Sequence, residues 1–288
     1  MRLGVVFPQT EIGSDPAVIR DYAQAAEGAG YDHLLVFDHV LGAKLERFDT
    51  LGRRPPYTDE SAFHEPFVLF GYLGACTRRL ELVTGVVILP QRQTALVAKQ
   101  AAQVDLLSGG RLRLGVGVGW NHVEYESLNE DWKTRGTRQS EQIAVMRKLW
   151  TEDLVTYQGR FHKLEAVTML PPPVQRPIPV WFGGSSDAAV KRAARIGDGY
   201  MPIMTPEAAE PKLALLHETM KAHGRDPAKF GLEGWLRFDE ADPQAWAKRA
   251  EGWKRLGAGI VMLYPMYRMP RLDDQIDTLR RFKEVAPT

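Results

Sequence analysis

Short apolar runs alternate with amphipathic segments along the whole chain. The apolar runs are rich in leucine, β-branched and aromatic residues, which predicts buried strands. The amphipathic segments repeat apolar residues at intervals of three and four, which predicts helices with one buried face. The predicted strands are 2–7, 33–37, 80–89, 112–116, 179–182, 199–203, 230–238 and 258–264.

A predicted helix follows each of these strands. The helices are expected at 15–28, 65–76, 94–107, in a segment ending near 150, and at 185–196, 206–223, 243–256 and 272–285. This alternation implies parallel strands covered by helices. Eight strand–helix units in 288 residues match an α/β fold, a closed (β/α)8 TIM barrel, which we expect to form a single domain over residues 1–288.

Two segments interrupt the alternation. Residues 41–62, after the second strand, lack clean periodicity and are predicted to be an inserted loop. Residues 151–178, before the fifth strand, form a second predicted insertion with a β-hairpin over 156–162. An open doubly wound sheet is the alternative fold, because 117–119 resembles the start of a dinucleotide-binding fingerprint. That stretch lacks the third glycine of the fingerprint, so the barrel is favoured.

Charge and cysteine content narrow the class of protein. The chain has 37 basic and 36 acidic residues, which gives no reason to expect nucleic acid or an anionic membrane as a partner. No apolar run is long enough to span a bilayer. The single cysteine, Cys76, excludes an internal disulfide and is expected to be a small core residue. We therefore expect a soluble cytoplasmic protein that acts on a small-molecule substrate.

The chemistry of a barrel enzyme lies at the carboxyl ends of its strands. Here those ends are rich in glycine and apolar residues, with no metal-ligand spacing and no nucleophile elbow. Such a site suits a large flat cofactor that carries the reaction. His39 is the candidate for proton transfer, and Asp38 is expected to orient it or to bind a ligand. The alternative is a histidine that only fixes a loop.

A phosphate-binding turn is predicted after the fifth strand. Gly183 and Gly184 end that strand, and Ser185, Ser186 or Asp187 can cap the helix that follows. Exposed backbone N–H groups at a helix start favour an anion. The alternative is an ordinary strand–helix turn, because one Gly-Gly pair is a weak motif.

Five stretches together resemble the bacterial luciferase-like superfamily, most closely its branch that uses the deazaflavin coenzyme F420. They are 35–39, 83–90, 105–111, 115–120 and 182–185. The resemblance covers nearly the whole chain and implies a (β/α)8 barrel and a homodimer. It also implies that Asp38 contacts the cofactor and that His39 lies at the reacting face.

The resemblance further implies how the cofactor is held. A non-prolyl cis peptide after strand three, here Gly85–Val86, is expected behind the deazaflavin ring, and the phosphate tail is expected on the turns after strands four and five. The full set of expected cofactor-binding residues is Asp38, Thr84, Gly85, Val86, Gly117, Val118, Gly119, Asn121, Phe182, Gly183, Gly184 and Ser185.

One position departs from the family pattern. The sugar-phosphate and alcohol dehydrogenases of the family have an acid/base glutamate after the strand-four glycines, where this chain has Trp120. Those substrates are therefore not expected. Glu124 lies one helical turn further on and can partly replace that glutamate. We place Trp120 and Glu124 in the substrate pocket, although an aromatic residue at position 120 also suits a core.

Three hypotheses about function follow. The first is an F420-dependent oxidoreductase that transfers a hydride between C5 of the deazaflavin and a small organic substrate. The second is an FMN-dependent monooxygenase on the same barrel, in which the flavin activates oxygen. The third is a cofactor-binding barrel without turnover. In each case the two insertions are expected to shape the mouth of the site.

Overall fold

In residues 1–52, 54–237, 243–264 and 271–285, which the computed structural model describes, nine parallel strands form one closed sheet. An antiparallel hairpin, β6–β7, stands apart from it. The strands are β1 (Arg2–Val6), β2 (His33–Val36), β3 (Glu81–Thr84), β4 (Val87–Ile88), β5 (Leu112–Gly117), β6 (Val155–Gln158), β7 (Lys163–Val167), β8 (Val180–Phe182), β9 (Gly199–Tyr200), β10 (Gly231–Arg237) and β11 (Ile260–Tyr264).

The sheet closes because β3 pairs with both β2 and β5. Around the barrel the order is β3, β2, β1, β11, β10, β9, β8 and β5. The short strand β4 continues the position of β3 and also pairs with β5. The barrel therefore has eight strand positions, and the predicted (β/α)8 fold is confirmed.

Helices cover the outer face of the barrel. They are α1 (Pro16–Gly28), α2 (Pro66–Cys76), α3 (Thr94–Ser108), α4 (His122–Ser127), α5 (Arg135–Thr151), α6 (Asp187–Ile196), α7 (Pro206–Ala222), α8 (Pro243–Arg255) and α9 (Leu272–Val285). Asp15 caps α1 by accepting a hydrogen bond from the N–H of Ala17. Within the described ranges, no helix is long and apolar enough to cross a membrane.

Local departures from the sequence predictions are few. The predicted strand 80–89 is interrupted at Gly85–Val86, which is a cis peptide, as the resemblance implied. The hairpin extends beyond the predicted 156–162, because its two strands pair from Val155 opposite Val167. The short helix α4 was not predicted, and Phe238, at the end of the predicted strand 230–238, lies outside the described residues.

Two apolar layers hold the barrel together. The larger layer lies between the strands and the helices, and alternate strand residues point into it. The smaller layer fills the barrel interior with residues from six strands and the turn after β9. Its buried members are Val6, Leu35, Val83, Trp181, Met201, Trp235, Ile260 and Met262.

The amino end of the barrel is filled by charged side chains. The guanidinium of Arg113, only 2% exposed, lies 2.6 Å from Oε2 of Glu233 and 3.3 Å from Oε2 of Glu81. Nε2 of His33 lies 3.5 Å from the same Glu233 oxygen. Burial and the nearby Arg113 cation hold the pKa of His33 well below its ordinary value. The side chain therefore stays a neutral imidazole beneath the apolar interior.

Candidate active site

The candidate active site lies at the opposite, carboxyl end of the barrel. His39 follows β2, and Glu124 lies on α4, which follows β5. Nδ1 of His39 is 3.0 Å from Oε1 of Glu124, at ion-pair distance but without the angle of a good hydrogen bond. His39 is 6% exposed and Glu124 2% exposed. The fold thus brings together an imidazole and a carboxylate that are distant in sequence.

The carboxylate of Glu124 is fixed by several donors. Its Oε1 accepts hydrogen bonds from the backbone N–H groups of Val40 (2.6 Å) and Leu41 (3.1 Å), and its Oε2 accepts one from Nε2 of Gln91 (3.2 Å). Burial raises the pKa of Glu124, but His39 and the two backbone N–H groups lower it further, so that it lies below its ordinary value. The group is therefore an ionised carboxylate at neutral pH.

Aromatic side chains cover His39 from the first insertion and its flank. The ring centroid of Tyr57 is 3.9 Å from that of His39, and the centroid of Phe63 is 5.1 Å away. Trp120 lies 5.0 Å beyond Tyr57 and also contacts Phe48, at 5.7 Å. The imidazole therefore lies under an aromatic cover, and Trp120 is part of that cover.

Asp38 points away from His39 into a separate ion network. Its carboxylate lies 2.6 Å from Nη2 and 3.2 Å from Nε of Arg92, and it also accepts a hydrogen bond from the backbone N–H of Ile88 (2.9 Å). Arg92 makes a further ion pair with Glu65 at 3.0 Å. Asp38 thereby holds the chain that follows β4. Its expected contact with a cofactor stays a prediction.

Val86, next to the cis peptide, lies on the inner rim of the barrel. It packs against the interior layer and remains partly exposed. A Cβ at Gly117 would lie 2.5 Å from one Val86 methyl, and a Cβ at Gly183 would lie 2.8 Å from the other. These two glycines therefore make room for Val86, which presents an apolar surface at the mouth of the barrel.

Three of the expected cofactor-binding residues have a structural role. The hydroxyl of Thr84 donates to the carbonyl of Gly115 on the neighbouring strand at 2.7 Å. The side chain of Phe182 is buried in the outer core. Gly119 has a φ of 68°, and a Cβ there would lie 2.9 Å from Ile88. These contacts explain the residue types without a ligand, and the predicted cofactor contacts stay predictions.

The turn after β5 leads into the short helix α4. Oδ1 of Asn121 accepts a hydrogen bond from the backbone N–H of Glu124 at 3.2 Å and caps this helix. The carbonyl of Val118 accepts one from the hydroxyl of Tyr125 at 2.8 Å. The cap fixes the helix that carries Glu124. Nδ2 of Asn121 is buried and has no partner among the residues described.

The predicted phosphate-binding turn is open to solvent. Gly184, Ser185 and Ser186 are exposed, and Gly184 has a φ of 103° that suits only glycine. Ser186, one of the three candidates, caps α6 by accepting a hydrogen bond from the N–H of Ala189. In the described part of the chain, the N–H groups of residues 184–186 have no protein acceptor. The turn therefore has the free donors that a phosphate needs.

A negative charge at this turn is expected to weaken cofactor binding. Because Gly184 tolerates no side chain without strain, the test uses Ser185→Asp, which places a carboxylate beside the expected phosphate. A repulsion of about 1.4 kcal/mol raises the dissociation constant about tenfold. Ala17→Asp adds the same charge to the exposed first turn of α1 and serves as the control. Equal affinities for the two variants would mean that the phosphate lies elsewhere.

Sequence comparison identifies the family. A family model described as luciferase-like monooxygenase matches residues 1–282. The chain belongs to the luciferase-like monooxygenase family. An uncharacterized protein of Mycobacterium tuberculosis is 37% identical over 202 residues, which is 68% of each chain. The FMNH(2)-dependent dimethylsulfone monooxygenase of Pseudomonas putida is 36% identical over 240 residues, which cover 81% of this chain and 61% of that enzyme.

Solved structures share the barrel of this luciferase-like protein. An F420-dependent secondary alcohol dehydrogenase, in complex with an F420-acetone adduct, superposes with a TM-score of 0.81 at 20% identity over 99% of this chain and 98% of that chain. Monooxygenase RslO1 from Streptomyces bottropensis gives 0.75 at 22% identity over the same shares. At these identities the likeness concerns the fold alone. Enzymes of both cofactor types thus have the fold of this luciferase-like chain.

Several contacts of the site in this luciferase-like protein were not predicted from the sequence. Tyr57 and Phe63 lie in or beside the insertion that was predicted only as a loop, and Arg92 and Gln91 follow the third strand without any motif. The available signal was composition, since the loop next to His39 carries two aromatic rings. Arginine beside a strand end gives no such signal, because most arginines there face solvent.

Proposed function

We propose that this luciferase-like protein is a coenzyme F420-dependent oxidoreductase that transfers a hydride between the deazaflavin C5 and a small organic substrate. The observation that carries the proposal is the buried contact between His39 and Glu124 at the carboxyl end of the barrel. Reduction of a carbonyl or an activated alkene needs a hydride on carbon and a proton on the other atom. His39 is the group that gives or takes this proton.

The surroundings of His39 suit this role. Glu124 favours the protonated imidazole by its charge and is itself held by the N–H groups of Val40 and Leu41. The ring of Tyr57 lies over the imidazole and excludes bulk water from it. The bound deazaflavin supplies or accepts the hydride. The protein's part is to orient the reactants and to move one proton.

The choice of coenzyme F420 rests on the sequence motifs, which resemble most closely the deazaflavin branch of the family. The residues present fit such a group, because the turn at 184–186 offers free N–H donors for its phosphate. The apolar rim at Val86 suits the face of a flat ring. A small organic molecule would then bind beside the ring, near His39 and Trp120.

A second candidate is an FMN-dependent monooxygenase. It is favoured by the dimethylsulfone monooxygenase of Pseudomonas putida, which its name describes as FMNH(2)-dependent and which is 36% identical to this chain. In that case the aromatic cover over His39 would shield the reduced flavin from water.

A binding titration separates the two candidates. The purified protein is titrated with coenzyme F420 and with FMN, and the dissociation constants are obtained from the change in cofactor fluorescence. We expect F420 to bind clearly more tightly than FMN. Micromolar FMN binding without measurable F420 binding would reverse the choice. Consumption of reduced F420 with an enone or quinone acceptor then separates an enzyme from a barrel that only binds its cofactor.

A further inference from the structure

Trp235 lies inside the barrel with an unused hydrogen-bond donor. It belongs to β10, points into the interior layer and is 5% exposed. Its Nε1 is buried and has no acceptor in the ranges that the structure describes. Buried N–H groups are nearly always paired, so an unpaired one calls for an explanation.

Other indoles of the chain show the ordinary arrangement. Nε1 of Trp150 donates to the carbonyl of Ala98 at 3.0 Å, and Nε1 of Trp253 donates to the carbonyl of Trp235 at 3.0 Å. Both of these rings lie in the outer core between strands and helices. Trp235 differs from them in pointing into the barrel, toward the end where His39 lies.

The surroundings of Trp235 offer its N–H apolar neighbours. The interior layer around it consists of aliphatic and methionine side chains together with Trp181. Phe37 stacks on the indole at 6.0 Å with an interplanar angle of 14°, and the ring of Tyr264 meets it edge-on at 5.8 Å. Phe37, Tyr264 and Val86 are partly exposed. A ligand entering between them would meet flat aromatic and apolar surfaces first, and the indole below.

An unused acceptor lies on the same side of the mouth. Gln9, which follows β1, is completely buried, and its Nε2 donates to the carbonyl of Phe37 at 3.0 Å. Its Oε1 is buried without a partner among the residues described. Phe37 thus has an unsatisfied donor, Trp235, against its ring and an unsatisfied acceptor, Gln9, at its backbone.

We infer that Trp235 and Gln9 form a polar recognition site for a planar ligand that carries a carbonyl oxygen and a neighbouring N–H or O–H. The carbonyl oxygen accepts from Nε1 of Trp235, and the ligand's donor binds Oε1 of Gln9. This rests on the proposed function, since the ligand is either the heterocyclic ring of the cofactor or the substrate. Both present the same chemistry to the site.

The variant Trp235→Phe tests the donor, because it removes the N–H and keeps an aromatic ring. Trp150→Phe, which removes an indole N–H in the outer core, is the matched control. F420 and FMN are titrated without substrate, and the KM of menadione, a planar quinone, is measured with the reduced cofactor. A roughly tenfold rise in the cofactor dissociation constant assigns the donor to the cofactor ring. An unchanged dissociation constant with a roughly tenfold higher KM assigns it to the substrate.

Either of those results supports the site, and Gln9→Ala is expected to affect the same ligand. Unchanged values for Trp235→Phe, or equal changes in Trp150→Phe, would overturn it. Failure of the wild type to bind either cofactor would instead contradict the proposed function. The site is then judged by the indole ¹⁵N–¹H resonance of Trp235, assigned by its loss in Trp235→Phe, during a menadione titration. A downfield shift supports the site, and an unmoved resonance overturns it.

Discussion

His39→Ala is expected to lower turnover by roughly 10²–10⁴, the usual contribution of a positioned acid or base. The cofactor dissociation constant should change no more than a few-fold, because the imidazole is covered by Tyr57 and lies against Glu124 rather than on the phosphate-binding turn. The measurement is consumption of the reduced cofactor with a quinone or enone acceptor, alongside a fluorescence titration. Unchanged turnover would make His39 a structural residue and leave the reaction without a named acid.

Glu124→Gln distinguishes a chemical from a packing role of the His39 contact. The amide has nearly the same shape but no charge, so it no longer favours the protonated imidazole. We expect lower turnover and a shift of the limb of the pH–rate profile governed by His39 toward lower pH. The exposed Glu126, two residues away on the same helix, provides the control variant Glu126→Gln. A uniform loss of activity at every pH would indicate that Glu124 only holds the loop at 40–41.

Arg113→Met is expected to destabilise the fold by about 3–5 kcal/mol, because it leaves the buried carboxylate of Glu233 without its cation. The free energy of unfolding is measured by urea denaturation of the two proteins. Arg2→Met is the matched control, since the exposed pair between Arg2 and Glu81 is worth about 0–1 kcal/mol.

A double variant separates charge from shape at this position. Removing both charges with Arg113→Met and Glu233→Met should recover much of the loss, because no uncompensated charge remains in the interior. A double variant that is less stable than Arg113→Met alone would mean that the packing of the side chains, for example of Arg113 over Trp181 at 4.3 Å, outweighs their charges.

The barrel could be predicted from the sequence because its signals are local. Each strand is an apolar run, and the caps at Asp15 and Ser186 stand directly before their helices. The cis peptide at Gly85–Val86 followed from the resemblance of a contiguous motif, not from periodicity. Features of this kind need only neighbouring residues to be recognised.

The contacts of the site depend on residues far apart in sequence, and these could not be predicted. Glu124 was placed near the substrate, but its contact with His39 joins two loops that only the closed barrel brings together. Asp38 and His39 are adjacent, yet one carboxylate is held by Arg92 and the other side chain lies under Tyr57. Periodicity gives no information on which loops meet above a barrel.

The charged cluster at the amino end of the barrel has a consequence for the kinetics of the reaction. Arg113, Glu233 and His33 close the axis at that end, so ligands reach the interior from the end where His39 lies. Cofactor and substrate then share one entrance. Whichever of them lies deeper has to enter first and leave last, which gives a compulsory order of binding and product release rather than a random one.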